Sequence, residues 1–198
     1  MINFINNNKT EPFILFKNKY DFALESGQNS IEAAAIASFS KSSNEANSRF
    51  VNIKICDGKD FIFFSNYNSV KSQDFKEHNQ ITALFFWDSI NTQIRIKALI
   101  NRTTKKFNDE YFLTRSNYKN ALAISSDQSK PIDSFDSVKK KYCKVLELEN
   151  LDKCPSHWGG FSFNPYYFEF WEGHDYRVNK RQVYELVNNN WKSYILEP

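Results

Sequence analysis

The sequence predicts an α+β domain in which helices flank an antiparallel β-barrel. Three observations carry that expectation. Aromatic residues make up 17% of the 198, with 19 Phe, while Gly and Pro number only 5 each. That profile belongs to a packed, β-rich domain rather than a disordered chain. Short runs with strand character are separated by turn residues, and helical stripes are interspersed among them. A chain of this length holds one domain with a sizeable core.

The elements follow in order. Residues 1–10 are Asn-rich and are expected to be disordered, leaving 11–198 as the single domain. Thr10-Glu11-Pro12 starts a helix, with Pro12 in its first turn, and Phe13, Phe16, Tyr20 and Leu24 form an apolar stripe that ends at Ser26-Gly27. Residues 31–39 are small and apolar and suit either helix or strand; the polar turn residues 41–47 that follow favour strand. Residues 49–56 set Val51, Ile53 and Ile55 against Phe50, Asn52 and Lys54, the alternation of a strand with two faces. Asp57-Gly58-Lys59-Asp60 is a hairpin turn, and 61–65 is the returning strand. Residues 69–78 predict a short helix with Ser69 as N-cap and Val70 and Phe75 as its apolar contacts.

Residues 81–87 predict a buried strand, 88–91 a turn and 92–102 a long alternating strand. Thr103-Thr104 caps a helix over 105–115, a polar loop covers 125–134, and a last helix covers 135–149. Residues 161–171 are mostly aromatic, as a strand needs, and a turn at 172–175 leads into a second strand over 176–187. Residues 191–196 close the chain.

Composition excludes several functions. The net charge is +3 and no block of like charge exceeds Lys139-Lys140-Lys141, so nucleic-acid binding has no electrostatic footprint. Cys56, Cys143 and Cys154 form no CxxC pair and have no His at zinc-ligand spacing; they read as reduced thiols, and no metal is expected. No apolar run is long enough for a membrane span and no signal-peptide pattern opens the chain, so a soluble, cytoplasmic protein is expected. Walker, GxGxxG, HExxH and GxSxG motifs are absent, and His78, His157 and His174 are scattered.

The chemistry concentrates near the C-terminus. Trp158-Gly159-Gly160-Phe161 carries a Gly pair that lets the backbone approach something closely, and Glu169-Phe170-Trp171 is followed by Gly173. Arg177, Asn179 and Arg181 are spaced by two, so a strand would put them on one face beside Trp171 as an anion and aromatic-ring site. Earlier, Tyr111 and Arg115 are four apart on a helix and point the same way, with Lys119 one turn further on if the helix continues. Lys71, in the first turn of its helix, suits a phosphate at the free N–H groups there. On the residues alone, Lys71 and the Tyr111–Arg115 pair read first as solvated helix surface, and the Arg177 face reads equally well as an ordinary solvated strand face.

WGGF, then EFW-x-G, then R-x-N-x-R resembles the C-terminal signature of the pyridoxamine/pyridoxine 5'-phosphate oxidases, and the resemblance extends from about Pro12 to the last residue. It implies an FMN-binding split β-barrel, antiparallel and Greek-key-like with flanking helices, in a homodimer that binds FMN between its subunits. The family reads R-x-H-D-R where this chain has Asn179 and Lys180.

By the same resemblance, the strand Arg49-Phe50-Val51-Asn52-Ile53-Lys54 and the turn from Phe64 and Ser65 to Lys71 would hold the FMN phosphate and ribityl chain, with Val70 where the family has Arg. Gln93, Gln128, Ser129, Trp171 and Arg181 match further FMN contacts. Lys54, Tyr111 and Arg115 match the residues that bind the substrate's phosphate, and Lys119 stands where the family has Ser. Arg177 and Asn179 would lie over the substrate's pyridine ring as the catalytic pair, Asn179 donating a hydrogen bond but unable to carry a proton as the family's His can.

The implied activity is oxidation of pyridoxamine or pyridoxine 5'-phosphate to pyridoxal 5'-phosphate with O2 as acceptor. The departures at Val70, Lys119, Asn179 and Lys180 keep two rivals open. One is a flavin- or pyridoxal-phosphate-binding split barrel with weak or no oxidase activity; the other is an oxidase of a different aromatic substrate.

Overall fold

In the computed structural model, which describes residues 1–6, 9–148 and 150–198, the chain enters the sheet earlier than its Asn-rich start suggests. β1 (Asn3–Phe4) runs parallel to residues 55–56, Ile2 is buried, and the Phe4 ring packs 5.0 Å from that of Tyr20. Two apolar side chains are enough to dock a segment whose average composition predicts disorder. Asn7 and Asn8 lie outside the described residues.

α1 (Glu11–Glu25) buries Phe13, Phe16, Tyr20 and Ala23. Leu24, expected in that stripe, is exposed because Ala23 takes the inward position. β2 (Ala33–Ser40) pairs antiparallel with β3 (Glu45–Asn52) through a turn shorter than the expected 41–47. The strand expected over 49–56 is two strands. At Ile53 the chain leaves β2, and Lys54 N donates to Ile62 O at 2.8 Å, so that β4 (Ile55–Cys56) pairs instead with β5 (Phe61–Asn66). α2 (Val70–Glu77) follows with Phe75 buried, whereas Val70 is exposed rather than packed.

β6 (Gln80–Trp87) and β7 (Thr92–Arg102) form a hairpin across a 3-10 turn. α3 (Lys105–Leu113) stops before Arg115, and Ser116 opens a further helix, α4 (Asn117–Ser125), that the sequence reading left out. α5 (Phe135–Leu146) ends before the expected 149, a residue outside the described ones. β8 (Trp158–Glu172), β9 (Lys180–Val187) and β10 (Asn190–Leu196) complete the sheet.

The strand order is β1-β4-β5-β8-β7-β6-β2-β3, with β9 added to β8 and β10 to β9. One edge of β8 is occupied along its length by β7. The other edge pairs with β5 over 158–163 and with β9 over 167–172. Between those partners sits Pro165, which has no N–H for a ladder, and the β7 register shifts there. This is the split of the barrel. Inside it Phe16, Phe61, Phe63, Phe85, Phe161, Phe163, Phe168 and Phe170 are all fully buried. Each such ring contributes about 1.5–3 kcal/mol by leaving water.

Candidate active site

Where β5 meets the start of β8, α3 and the α3–α4 break form the wall of a cleft of about 520 Å³. Three aromatic rings make one side. Phe64 stacks on Tyr111 at 3.7 Å and 9°, and on Trp158 at 5.1 Å and 9°. The glycine pair lets this wall form. A Cβ on Gly159 would collide with Tyr67 Oη and Asn108 Nδ2, which donate in sequence to Gly160 O and to Tyr67 Oη at 3.1 and 2.9 Å.

The rest of the lining is polar and mostly cationic: Lys54, Lys71, Arg115 and Lys119 against one carboxylate, Glu32. The Arg115 guanidinium stacks 4.2 Å over Trp158, donates from Nη2 to Lys119 O at 2.9 Å, and leaves Nη1 buried without a partner. Burial pushes its pKa down. The unexpected start of α4 brings Arg115 and Lys119 together, because the chain turns between them. Across the cleft Lys54 Nζ lies 3.5 Å from Glu32 Oε1, which is also 3.1 Å from the Met1 amine. Burial raises the Glu32 carboxyl, but its own backbone N–H and these two cations outweigh that and hold it below the usual range.

At the floor, Lys71 Nζ donates to Ser65 Oγ at 3.1 Å and Ser69 Oγ at 3.3 Å, and Ser65 Oγ donates to Gln128 Oε1 at 3.1 Å. Burial first, and the Arg49 charge second, lower the Lys71 pKa. A half-buried ammonium held only by hydroxyls is a donor set short of an anion, and a phosphate suits it.

Not every expected residue joins this cleft. Phe50, Val51, Asn52 and Lys54 line it, but Ile53 is fully buried in the core. The Arg49 guanidinium faces inward, to Ser38 Oγ at 2.6 Å and to the buried Asp74 carboxylate at 3.2 Å. Ser129, with φ 72°, lines a separate cavity of about 340 Å³ beside α5.

Gln93, Trp171 and Arg181 stand in register on β7, β8 and β9. Trp171 lies 13 residues along β8 from Trp158, a contour of about 43 Å, and neither Trp171 nor Gln93 nor Arg181 lines the cleft. The strand expected over 176–187 begins only at Lys180. Tyr176 and Arg177 have φ of 60° and 61°, and Asn179 Oδ1 accepts from His174 N at 3.1 Å to close the loop. Arg177, Asn179 and Arg181 therefore do not share a strand face. A third cavity, of about 560 Å³ at the end of α2, contains none of the candidate residues.

The profile of the pyridoxamine 5'-phosphate oxidases matches residues 23–148, and that of the pyridoxine 5'-phosphate oxidase C-terminal dimerisation region matches 158–198. The chain belongs to the pyridoxamine 5'-phosphate oxidase family. It is 31% identical over 194 residues to pyridoxine/pyridoxamine 5'-phosphate oxidase 1 of Hydrogenovibrio crunogenus, covering 96% of this chain and 89% of that protein. It is 32% identical to the oxidase of Trichormus variabilis with the same coverage.

Among solved structures, PhzG from Burkholderia lata 383 in complex with tetrahydrophenazine-1-carboxylic acid superposes with a TM-score of 0.90 at 25% identity, over 95% of this chain and 93% of that one. An FMN-binding, pyridoxamine 5'-phosphate oxidase-related protein from Nostoc punctiforme shares the fold, with a TM-score of 0.75 at 10% identity over 92% and 97% of the two chains. The fold is thus the split barrel of this oxidase family. No helix is long and apolar enough to cross a membrane among the described residues.

Two lining residues escaped the sequence reading. Trp158 stood inside the WGGF motif but was passed over in favour of its glycines; an aromatic residue beside a close-approach Gly pair was the available signal. Glu32 gave none, since a carboxylate ahead of an alanine-rich strand looks like any surface acid.

Proposed function

We propose that this chain oxidises pyridoxamine and pyridoxine 5'-phosphate to pyridoxal 5'-phosphate with O2 as acceptor, and that it works as a homodimer. One observation carries the reading. A single cleft unites a stacked aromatic wall, four cations and a buried guanidinium N–H that lacks a partner. A planar ring bearing a phosphate satisfies all three.

In this reading Lys54, Arg115 and Lys119 hold the substrate phosphate, with Tyr111 donating its phenol. Lys71, Ser65 and Gln128 hold the FMN phosphate and ribityl chain. The contour between Trp158 and Trp171 favours a second copy of the chain as the source of Gln93, Trp171 and Arg181, and of Arg177 and Asn179 over the pyridine ring. Bound FMN would supply the acceptor for a hydride from the aminomethyl or hydroxymethyl carbon, and O2 would finally take up those electrons as hydrogen peroxide; with the amine, water then hydrolyses the resulting imine to the aldehyde and ammonia leaves. Arg177 is permanently cationic and orients the ring. Asn179 donates a hydrogen bond but holds no transferable proton, so any proton leaving the substrate goes to water.

The test is anaerobic mixing of FMN-loaded protein with pyridoxamine 5'-phosphate. Bleaching of the flavin band that recovers in air, with aldehyde formed, supports the reading. Saturable binding without bleaching would leave a binding protein instead. The close superposition on PhzG favours one alternative substrate class, a carboxylated partly reduced tricycle. Bleaching by such a compound, and not by the phosphorylated pyridine, would select it.

A further inference from the structure

Glu169 is 3% exposed on β8, two residues before Trp171, and its carboxylate is shared by three donors. Arg181 Nε and Nη2 both reach Oε1 at 2.9 Å. Tyr167 Oη donates to Oε2 at 3.0 Å, and Arg95 Nη2 donates to the same oxygen. Arg95 stands opposite Glu169 in the β7–β8 register, two pairs along from Gln93 and Trp171. Arg181 stands opposite Trp171 on β9 and donates from Nη1 to Glu197 O at 2.9 Å.

We propose that Glu169 is a positioning residue for the cofactor: its carboxylate fixes the Arg181 guanidinium in the orientation that meets the flavin, while Arg95 and Tyr167 brace the carboxylate from the other side. The inference rests on the FMN-oxidase reading above. Two features argue for positioning over mere cohesion. A buried ion network holds strands together no better than apolar packing does, and the fully buried Val183, paired with Glu169 on β9, already supplies that packing. The grip on Arg181 is also directional. Nε donates to Glu169 and Nη1 to Glu197 O, with Nη2 in ionic contact with the same Glu169 oxygen, which leaves N–H groups on the two terminal nitrogens for a ligand. Burial raises the Glu169 carboxyl, but Arg181, Arg95 and Tyr167 outweigh it and keep it ionised for this task.

The test measures FMN dissociation from wild type, Glu169→Gln, Arg181→Lys and the double variant by flavin fluorescence. Melting temperature and dimer content are followed alongside. Each single change is expected to weaken FMN binding about tenfold, and the double variant to bind no more weakly than Arg181→Lys alone. A merely structural role would give losses that multiply to about a hundredfold, and this overturns the proposal, as does wild-type affinity in Glu169→Gln. Glu169→Asp keeps the charge, should the neutral variant not fold, but withdraws the carboxylate by one methylene. It is expected to bind FMN about fivefold more weakly at unchanged dimer content, and wild-type affinity would again overturn the proposal. A wild-type protein that binds no FMN overturns the oxidase reading itself.

Discussion

Replacing Arg115 with Met separates what the guanidinium does for a ligand from what it does for the fold. In the folded chain it stacks 4.2 Å over Trp158 and 5.2 Å from Phe112, contacts that contribute about 0.5–2 kcal/mol together. The bond from Nη2 to Lys119 O adds about 1 kcal/mol. Against these, burying Nη1 without a partner costs about 1–3 kcal/mol. The terms nearly cancel, and Met fills a similar volume, so the melting temperature is expected to move by less than about 4 °C. A bound phosphate changes the balance, because each charge-assisted hydrogen bond it accepts contributes about 1.5–3 kcal/mol. Affinity for pyridoxal 5'-phosphate is therefore expected to fall about 10- to 150-fold, while affinity for unphosphorylated pyridoxal stays within about twofold. Calorimetric titration of both proteins with both ligands measures this. Equal losses for the two ligands, or a melting temperature lowered as by a core deletion, would refute the assignment of Arg115 to the phosphate.

Glu32→Gln removes the carboxylate beside Lys54 and is expected to tighten phosphate-ligand binding about threefold, an effect that shrinks in high salt; weaker binding would mean that Glu32 helps the ligand. Gly159→Ala places a methyl group against Tyr67 and Asn108 and is expected to cost about 2–4 kcal/mol in denaturant unfolding, with a wild-type midpoint as the contrary result. Burial pushes the Cys56 thiol up to about 11, so the folded chain keeps a proton that the unfolded chain loses near 9. Its stabilising contribution is complete below that lower value and is lost as pH rises towards 11. The stability gap between wild type and Cys56→Ala is therefore expected to narrow by about 1.2 kcal/mol from pH 8.5 to 10, and a constant gap would mean the thiol titrates normally.

Periodicity made most of the barrel legible. The stripe of α1, the alternation of β7 and the aromatic run of β8 each report a face that must leave water, and side-chain hydrophobicity records such faces directly. What stayed hidden depends on where hydrogen-bond partners change. Ile53 and Lys54 look like two more residues of an alternating strand, yet there the backbone exchanges one neighbour strand for another, and no side chain announces it. α4 was missed for a related reason. Asn117 is a poor helix-interior residue, so it argued correctly against continuing α3. The new N-terminus at Ser116 that allows Asn117 into a fresh first turn carried too little apolar pattern to be read. Within the site, the cations were legible as residue types at motif spacing. Their partners were not: Asp74 for Arg49 and Glu32 for Lys54 come from elements 25 and 22 residues away.

In the loop over 173–179 the family signature and the backbone geometry part company. Spacing by two places Arg177, Asn179 and Arg181 on one strand face, and the family signature gives them one job. The backbone divides them. Arg181 is locked into the sheet through Glu169, whereas Arg177 and Tyr176 sit in the left-handed region and Tyr176 is 96% exposed. Such a conformation costs non-glycine residues free energy, and Asn179 Oδ1 offsets part of it by accepting from His174 N. In a single chain, then, the side chain that stands in place of the family's His is engaged in holding its own loop. A ligand that recruits Asn179 has to leave that hydrogen bond in place and use the amide N–H2, or replace it. The first route needs no rearrangement and uses the donor that an Asn has and a carboxylate lacks. On the proposed oxidase reading, Asn at this position suits positioning of a ring substituent and not proton transfer, which would leave the chemistry to the cofactor and the cations around it.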